Sequence, residues 1–291
     1  MTLLTVLKLI RAPAGITAIS NILAAAVISS NNHLSSELLL LITASILFYF
    51  SGMALNDCFD YKEDLAERPS RPIPHGDISL SKAWLLGFCL MTAGIIFAFL
   101  YSQISGYIGL ILATVIVLYN SIIKQGLLGS MCMASCRYFN WVLGASFVAL
   151  SINTWLIALP IFFYITGLTF LSKQETHGRD KKSVFFCALM IALTAISSAY
   201  LVLTLFTLTE SERVISFILI GIWTILMASK LVKVFNDFVP GNIQQLIGWM
   251  VIGVIPLDAL LVALSGEYLM SLLILALLPP CRMLNKYLYV T

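Results

Sequence analysis

Residues 38–64 read LLLLITASILFYFSGMALNDCFDYKED, and this stretch combines a long apolar run with a cluster of acids. Its first eighteen residues contain no charged side chain, whereas the last nine contain four acids and a lysine. A helix of about 20 apolar residues crosses the hydrocarbon core of a bilayer. The stretch therefore predicts a transmembrane helix that ends in carboxylates at the membrane surface.

The composition of the whole chain agrees with a membrane protein. Of its 291 residues 60% are hydrophobic and 11% are charged, and the mean hydropathy is +0.97. A soluble domain carries about 25% charged residues, so an ordinary soluble enzyme is excluded. The net charge of +3 is too small to indicate a nucleic-acid partner.

Long apolar runs predict an all-α bundle of nine transmembrane helices and a short tenth, in a single domain over residues 1–291. The predicted spans are 12–30, 37–57, 83–101, 104–122, 131–150, 154–172, 184–207, 213–235, 244–265 and 268–280. With a cytoplasmic N-terminus, fifteen of the 17 Lys and Arg residues fall in cytoplasmic segments. Because basic residues are held on that side, we predict an integral protein of a bacterial inner or plasma membrane with its acid-rich loops in the cytoplasm.

Four polar side chains after the second span share a helical spacing. If the helix continues past the membrane, they lie along one stripe, which extends roughly 12 Å at 1.5 Å per residue. The four residues are Asn56, Asp57, Asp60 and Asp64. A solvated acidic helix end is one interpretation of the stripe. The other is a site for two Mg²⁺ ions that complete their shells with phosphate and water.

The string from Asn56 to Pro72 resembles the first signature of the UbiA family of intramembrane prenyltransferases. That signature is N-D/Q-x-x-D-x-x-x-D followed by an R-x-R-P-like turn, and every fixed acidic position is filled here. The resemblance implies Mg²⁺-dependent transfer of an isoprenyl group from a prenyl diphosphate to a hydrophobic acceptor, aromatic or lipid. It makes the four stripe residues metal ligands, with Asp60 and Asp64 also catalytic, and makes Arg68 and Arg71 ligands of the diphosphate.

Two further segments resemble the family. Tyr119 and Lys124 resemble its Y-x-x-x-x-K segment, which implies that both bind the diphosphate and that Lys124 is catalytic. Arg11 and Pro13 resemble the family's R-x-P entry to the first span, and Asn21 resembles its polar residue there, which gives Asn21 a supporting role. Without the resemblance, Tyr119 is an interfacial aromatic anchor and Lys124 a positive-inside residue.

The second cytoplasmic motif departs from the family pattern D-x-x-D-x-x-x-D. Residues 171–183 read LSKQETHGRDKKS, and aligning Gly178 places Ser172, Glu175 and Arg179 at the acid positions, or Asp180 at the last with one insertion. By resemblance, Glu175 is a catalytic metal ligand, Arg179 binds diphosphate, and His177 and Asp180 have supporting roles. Either Glu175 or His177 is a candidate base for the acceptor.

The string SKQETHGRD also resembles a divergent UbiA-like subgroup associated with the ebo gene cluster. This resemblance implies a link to export or membrane access of a secondary metabolite. It leaves three alternatives open. Arg179 acts in place of one metal ion, or the acceptor is not a phenol, or the chain binds or helps to export an isoprenoid without transferring it.

Two charged side chains lie inside predicted spans, and such charges indicate function by default. Arg137 and Asp258 differ in depth by about 10 Å of a 30 Å core, which argues against direct pairing. We expect Arg137 either to reach the cytoplasmic cavity and support phosphate binding or to satisfy a structural partner. We expect Asp258 to cap backbone groups freed by Pro256.

Overall fold

The computed structural model of the chain describes residues 2–173 and 181–287, and within these ranges the regular structure is helical, with no strand. The helices are α1 (Leu3–Leu9), α2 (Ile16–Ser29), α3 (Leu38–Phe59), α4 (Tyr61–Glu67), α5 (Leu80–Tyr101), α6 (Gln103–Ser121), α7 (Gly126–Ala145), α8 (Ile152–Ile157), α9 (Leu159–Ser172), α10 (Lys182–Thr204), α11 (Glu210–Asn236), α12 (Pro240–Ile252), α13 (Val254–Leu264), α14 (Tyr268–Leu275) and α15 (Leu278–Tyr287). A 3-10 turn, Ala12–Gly15, precedes α2.

Most of these helices are built to cross a bilayer. In the described ranges, eight helical segments are long and apolar enough to span, and α12 with α13 form a ninth that bends by 44°. Helix α7 has the length of a span but is less apolar, and it packs against α2, α6 and α9. The chain is an integral membrane protein, and the prediction of an all-α membrane bundle is confirmed.

Besides the predicted span 244–265, which is the bent pair α12 and α13, three predicted spans differ from the helices that form. The predicted span 131–150 is displaced, because α7 begins at Gly126, whose φ of 61° makes the turn after α6. The predicted span 154–172 is two short helices, α8 and α9, with Pro160 in the first turn of α9. The last apolar segment runs over Tyr268–Asn285 and is long enough to span, because Pro279 and Pro280 lie at the start of α15 instead of ending the helix.

The acid-rich segment after α3 keeps a helical path. Asp60 separates α3 from α4, yet its amide donates to Asn56 O at 3.0 Å and the Asp64 amide donates to Asp60 O at 2.9 Å. These are the i to i−4 bonds of an α-helix. The expected helical continuation past the second span is therefore confirmed over residues 56–67.

Small residues allow several of the helices to approach closely. A Cβ on Gly144 of α7 would lie 2.8 Å from Ile22 Cα of α2, and one on Gly87 of α5 would lie 2.7 Å from a Leu55 methyl of α3. Because lipid gives little hydrophobic drive for helices to associate, membrane bundles depend on such close backbone packing.

Gly144→Ala tests the contact between α2 and α7. The added methyl meets backbone atoms that have no room to move, so we expect a loss of about 1 to 3 kcal/mol, seen as a lower unfolding midpoint in detergent. Gly221→Ala in α11 is the matched control, because nothing lies within 4 Å of its added Cβ. Equal midpoints for the two variants would contradict the close packing.

Candidate active site

The main cavity has a volume of about 660 Å³ and is lined by helices from the N-terminal two thirds of the chain. One part of its wall comes from the end of α3, the end of α6, the start of α7 and the segment around residues 68–71. We call this part the polar end. Apolar side chains line the middle of the cavity, among them Phe48, Met53, Leu112, Ile116 and Met133.

Basic side chains outnumber carboxylates at the polar end. Among the described residues, the basic ones are Arg11, Arg68, Arg71, Lys124 and Lys173, and the acidic ones are Asp60 and Glu63. With the buried Asp57 and Asp64, which pair with Arg11 and Arg71, five basic groups face four carboxylates, and this small positive excess in a cleft with low-dielectric walls favours anions. The polar end is therefore suited to a polyanion such as a diphosphate.

Asp57 and Asp64 are buried, do not line this cavity, and form ion pairs with one guanidinium. Arg71 Nη1 lies 2.7 Å from Asp64 Oδ2 and 3.3 Å from Asp57 Oδ1, and Arg11 Nη2 also lies 2.9 Å from Asp57 Oδ1. The two carboxylates are seven residues apart, so they share a helix face two turns apart. The acids of the predicted stripe therefore have two environments, because Asp60 lines the cavity whereas Asp57 and Asp64 are buried beside Arg71.

Asn56 and Asp60 occupy the face that lines the cavity. The Asn56 amide donates to Asn120 Oδ1 at 3.0 Å, and Asn120 in turn donates to Gly52 O at 3.3 Å. Lys124 Nζ is paired with Asp60 Oδ2. The predicted diphosphate ligand Lys124 and the predicted metal ligand Asp60 are thus in direct contact.

The donor set at the polar end fits a Mg²⁺ ion that takes few protein ligands. Asn56, Asp60 and Glu63 supply oxygen atoms to the cavity wall, and the buried Asp64 Oδ1 has no hydrogen-bond partner, with Arg68 Nη1 3.6 Å away. The described part of the chain contains no group of three or more His, Cys, Asp or Glu side chains placed to hold a metal. Mg²⁺ commonly binds through one or two carboxylates and completes its shell with water and substrate phosphate, which suits this arrangement.

Several residues of the polar end were not assigned to it from the sequence. Lys173 donates to Gly126 O at 2.7 Å, and partial burial lowers the pKa of its ammonium group. Glu63 lines the cavity one helical turn after Phe59. In the sequence, only its position in the acid-rich segment indicated that it belongs to the site. Arg11 is 46 residues from its partner Asp57, and only the R-x-P resemblance indicated it.

A second polar group lies at the other part of the cavity wall, which we call the inner end. It is formed by Ser45, Tyr49, Arg137 and Asn140. Arg137 donates to Thr17 Oγ1 at 2.8 Å and to Asn21 Oδ1 at 3.2 Å, and its guanidinium lies 5.3 Å from the centre of the Tyr49 ring.

Asp258 lies behind the inner end, fully buried on α13. Its carboxylate accepts from Ser20 Oγ at 2.5 Å and Trp141 Nε1 at 3.1 Å, and from Asn21 Nδ2 at 2.8 and 3.0 Å. The expected backbone cap at Asp258 is therefore wrong, because side chains of α2 and α7 occupy its oxygens. Arg137 and Asp258 do not pair directly, as expected, but Asn21 contacts both.

Of the remaining predicted site residues, some line the cavity and the others fall in the segment that the structure does not describe. Tyr119 and Ser172 line the cavity beside Lys124 and Lys173. Glu175, His177, Arg179 and Asp180 lie outside the described residues. The roles assigned to these four, and the subgroup resemblance that rests on them, stay predictions.

Comparison with known proteins gives a family and partial relatives. A model of the UbiA prenyltransferase family matches residues 18–238. Digeranylgeranylglyceryl phosphate synthase of Methanococcoides burtonii is 41% identical over 75 residues, 26% of this chain and 27% of that protein. The enzyme of the same name from Methanosarcina mazei is 30% identical over 125 residues, 43% and 42% of the two chains. The chain thus aligns with less than half the length of these curated relatives.

Solved structures share the fold over nearly the whole chain. A digeranylgeranylglyceryl phosphate synthase structure has a TM-score of 0.69 at 22% identity and covers 91% of this chain and 98% of that one. A UbiA homologue from Archaeoglobus fulgidus bound to GPP and Mg²⁺ has a TM-score of 0.64 at 17% identity and covers 90% and 99%. At these identities the likeness concerns the fold alone.

Arg71→Gln tests the buried ion pairs. The change leaves Asp57 without one of its cations and Asp64 without its closest one in a buried setting, so we expect a loss of about 3 to 5 kcal/mol, measured by the unfolding midpoint in detergent. Arg68→Gln is the control, because Arg68 is 46% exposed and its pair is worth about 1 kcal/mol or less. Adding Asp64→Asn to Arg71→Gln should restore part of the loss, and equal midpoints for the two single variants would contradict this role of Arg71.

Proposed function

Because the chain belongs to the UbiA prenyltransferase family, we propose that it transfers an isoprenyl group from a prenyl diphosphate to a hydrophobic acceptor within the membrane. The observation that supports this most directly is the cavity itself, whose wall combines Arg68 and the Lys124–Asp60 pair with apolar side chains. A prenyl diphosphate has the same division, with a highly charged head on an apolar chain.

The polar end would hold the diphosphate, and the apolar middle would hold the isoprenoid chain. Negative charge grows on the diphosphate as the allylic carbon–oxygen bond breaks. Lys124 is held near that position by Asp60 before the reaction and Arg68 adds a second positive charge there, so they would stabilise the transition state more than the ground state. The acceptor then forms its bond to the allylic carbon and loses a proton.

We assign the metal-binding role to Asn56 and Asp60, together with Asp64 through its free Oδ1. When bound, Mg²⁺ neutralises the diphosphate oxygens as they become the leaving group. Asp57 is assigned to positioning, because it is buried, does not line the cavity and pairs with both Arg11 and Arg71. Glu175 remains a proposed ligand from the second motif.

The curated relatives are named for making digeranylgeranylglyceryl phosphate, in which prenyl groups are joined to a glyceryl phosphate. For this chain we propose an aromatic or lipid acceptor, deprotonated by Glu175 or His177. The distribution of basic residues supports a cytoplasmic location for the polar end and for the N-terminus.

Transfer by the purified chain tests this function. Radiolabelled geranyl diphosphate is incubated with the protein and a membrane-lipid extract, with Mg²⁺ or with EDTA. We expect labelled lipid only with Mg²⁺, and a loss of about 100-fold or more for Lys124→Gln and for Asp60→Asn. Arg213→Gln is the control, because Arg213 pairs with Glu210 at the start of α11 and does not line the cavity.

Two results would contradict the proposal. Undiminished transfer by a variant with both Asp60→Ala and Asp64→Ala would remove the roles given to these acids. Tight binding of geranyl diphosphate that EDTA does not affect, with no transfer to any lipid fraction, would instead indicate a protein that binds or helps to export an isoprenoid.

A further inference from the structure

The inner end of the cavity contains a guanidinium that the proposed handling of the diphosphate does not use. Arg137 is 13 residues after Lys124 and 11 after Gly126, which starts α7. At 1.5 Å per residue, it lies roughly 16 Å along the helix from the polar end. The backbone of Arg137 is thus about three helical turns from the start of α7, and its guanidinium belongs to the inner end of the cavity with Tyr49 and Asn140.

Two helices, α2 and α13, hold this guanidinium in place. Asp258 of α13 accepts two contacts from the Asn21 amide nitrogen, which directs the Asn21 carbonyl oxygen of α2 to Arg137 Nη1. Thr17 accepts from Arg137 Nη2, and the Thr17 hydroxyl itself donates to Ala14 O at 2.6 Å. The side chain is therefore fixed on the face that turns toward α2.

The donors of Arg137 are only partly used by these contacts. A guanidinium has five N–H groups, and the described residues accept from two of its nitrogens. None of its nitrogen atoms is buried without a partner, and the residue lines the cavity. N–H groups are thus left to point into the cavity, in a protein where a charge at membrane depth is costly.

We propose that Arg137 binds an acidic oxygen group of the acceptor, a carboxylate or a phosphate, at the inner end of the cavity. This inference rests on the proposed prenyl transfer. A guanidinium binds both groups through paired N–H contacts. The acceptor then lies with its nucleophilic atom toward the polar end and its acidic group toward Arg137. Asn21 is a positioning residue, because it acts on the acceptor only through Arg137.

Matched pairs of acidic and neutral probes test this subsite. The full-length protein is titrated calorimetrically with para-hydroxybenzoate and para-hydroxybenzyl alcohol, and with an alkylglycerol phosphate and the same alkylglycerol without phosphate. We expect the acidic member of one pair to bind at least about tenfold more tightly, the effect of one charge-assisted contact. The pair that shows the preference identifies the group as a carboxylate or a phosphate.

Variants then assign the preference to Arg137. Arg137→Gln should abolish it, Arg137→Lys should keep part of it, and Asn21→Leu should reduce it, while geranyl diphosphate affinity changes less than about twofold in all three. Arg213→Gln controls for loss of one positive charge. Unfolding midpoints identify variants that fail to fold, and Arg137→Lys keeps the charge if Arg137→Gln does not fold.

The outcomes separate this inference from the proposed function. Equal affinities within both probe pairs for the wild-type protein would overturn the subsite. It would also be overturned if Arg137→Gln weakened geranyl diphosphate as much as the acidic probe, because the residue would then belong to the donor. Failure of the wild-type protein to bind geranyl diphosphate at all would count against the proposed function, whatever the probes show.

Discussion

The buried guanidinium of Arg71 is the interaction on which the polar end depends. It lies between Asp57 and Asp64, two turns apart on one face of the acid-rich segment, and neutralises charges that would otherwise repel. With these carboxylates held on that face, Asn56 and Asp60 are turned toward the cavity. Arg71 lies in the loop before α5, so the same contact also ties that loop to the end of α3.

The inner end also depends on how a charge is satisfied, but here the direct partners of the charge are neutral. A charge inside a membrane protein needs a partner or a polar cavity, and Arg137 has both. Its partners are neutral side chains of α2, and the carboxylate of Asp258 contacts the guanidinium only through Asn21. A direct ion pair would satisfy both charges and leave little for a ligand. The indirect arrangement keeps part of the guanidinium free to bind.

The sequence was informative wherever the signal was local and less so wherever it depended on packing. The apolar runs predicted the membrane helices, and the spacing of Asn56 and Asp60 placed them correctly on one face. The division of the acids into two sets was missed, because it depends on Arg11 and Arg71, whose positions next to Asp57 follow from tertiary structure. The last predicted span, 268–280, ended too early, because Pro279 and Pro280 lie in the first turn of α15 and the apolar segment continues to Asn285.

The two ends of the cavity also differ in where their supporting residues lie along the chain. The side chains around Lys124 and Asp60 fall mostly within residues 18–238, the segment that matches the family, whereas Asp258 comes from α13 beyond it. Cleavage of the diphosphate bond requires the same charge stabilisation whatever the acceptor, so that chemistry constrains the polar end. The acceptor differs in shape and charge from one reaction to another. Because the support for Arg137 includes α13, which contributes no residue to the cavity wall, binding at the inner end depends on a helix that the polar end does not use.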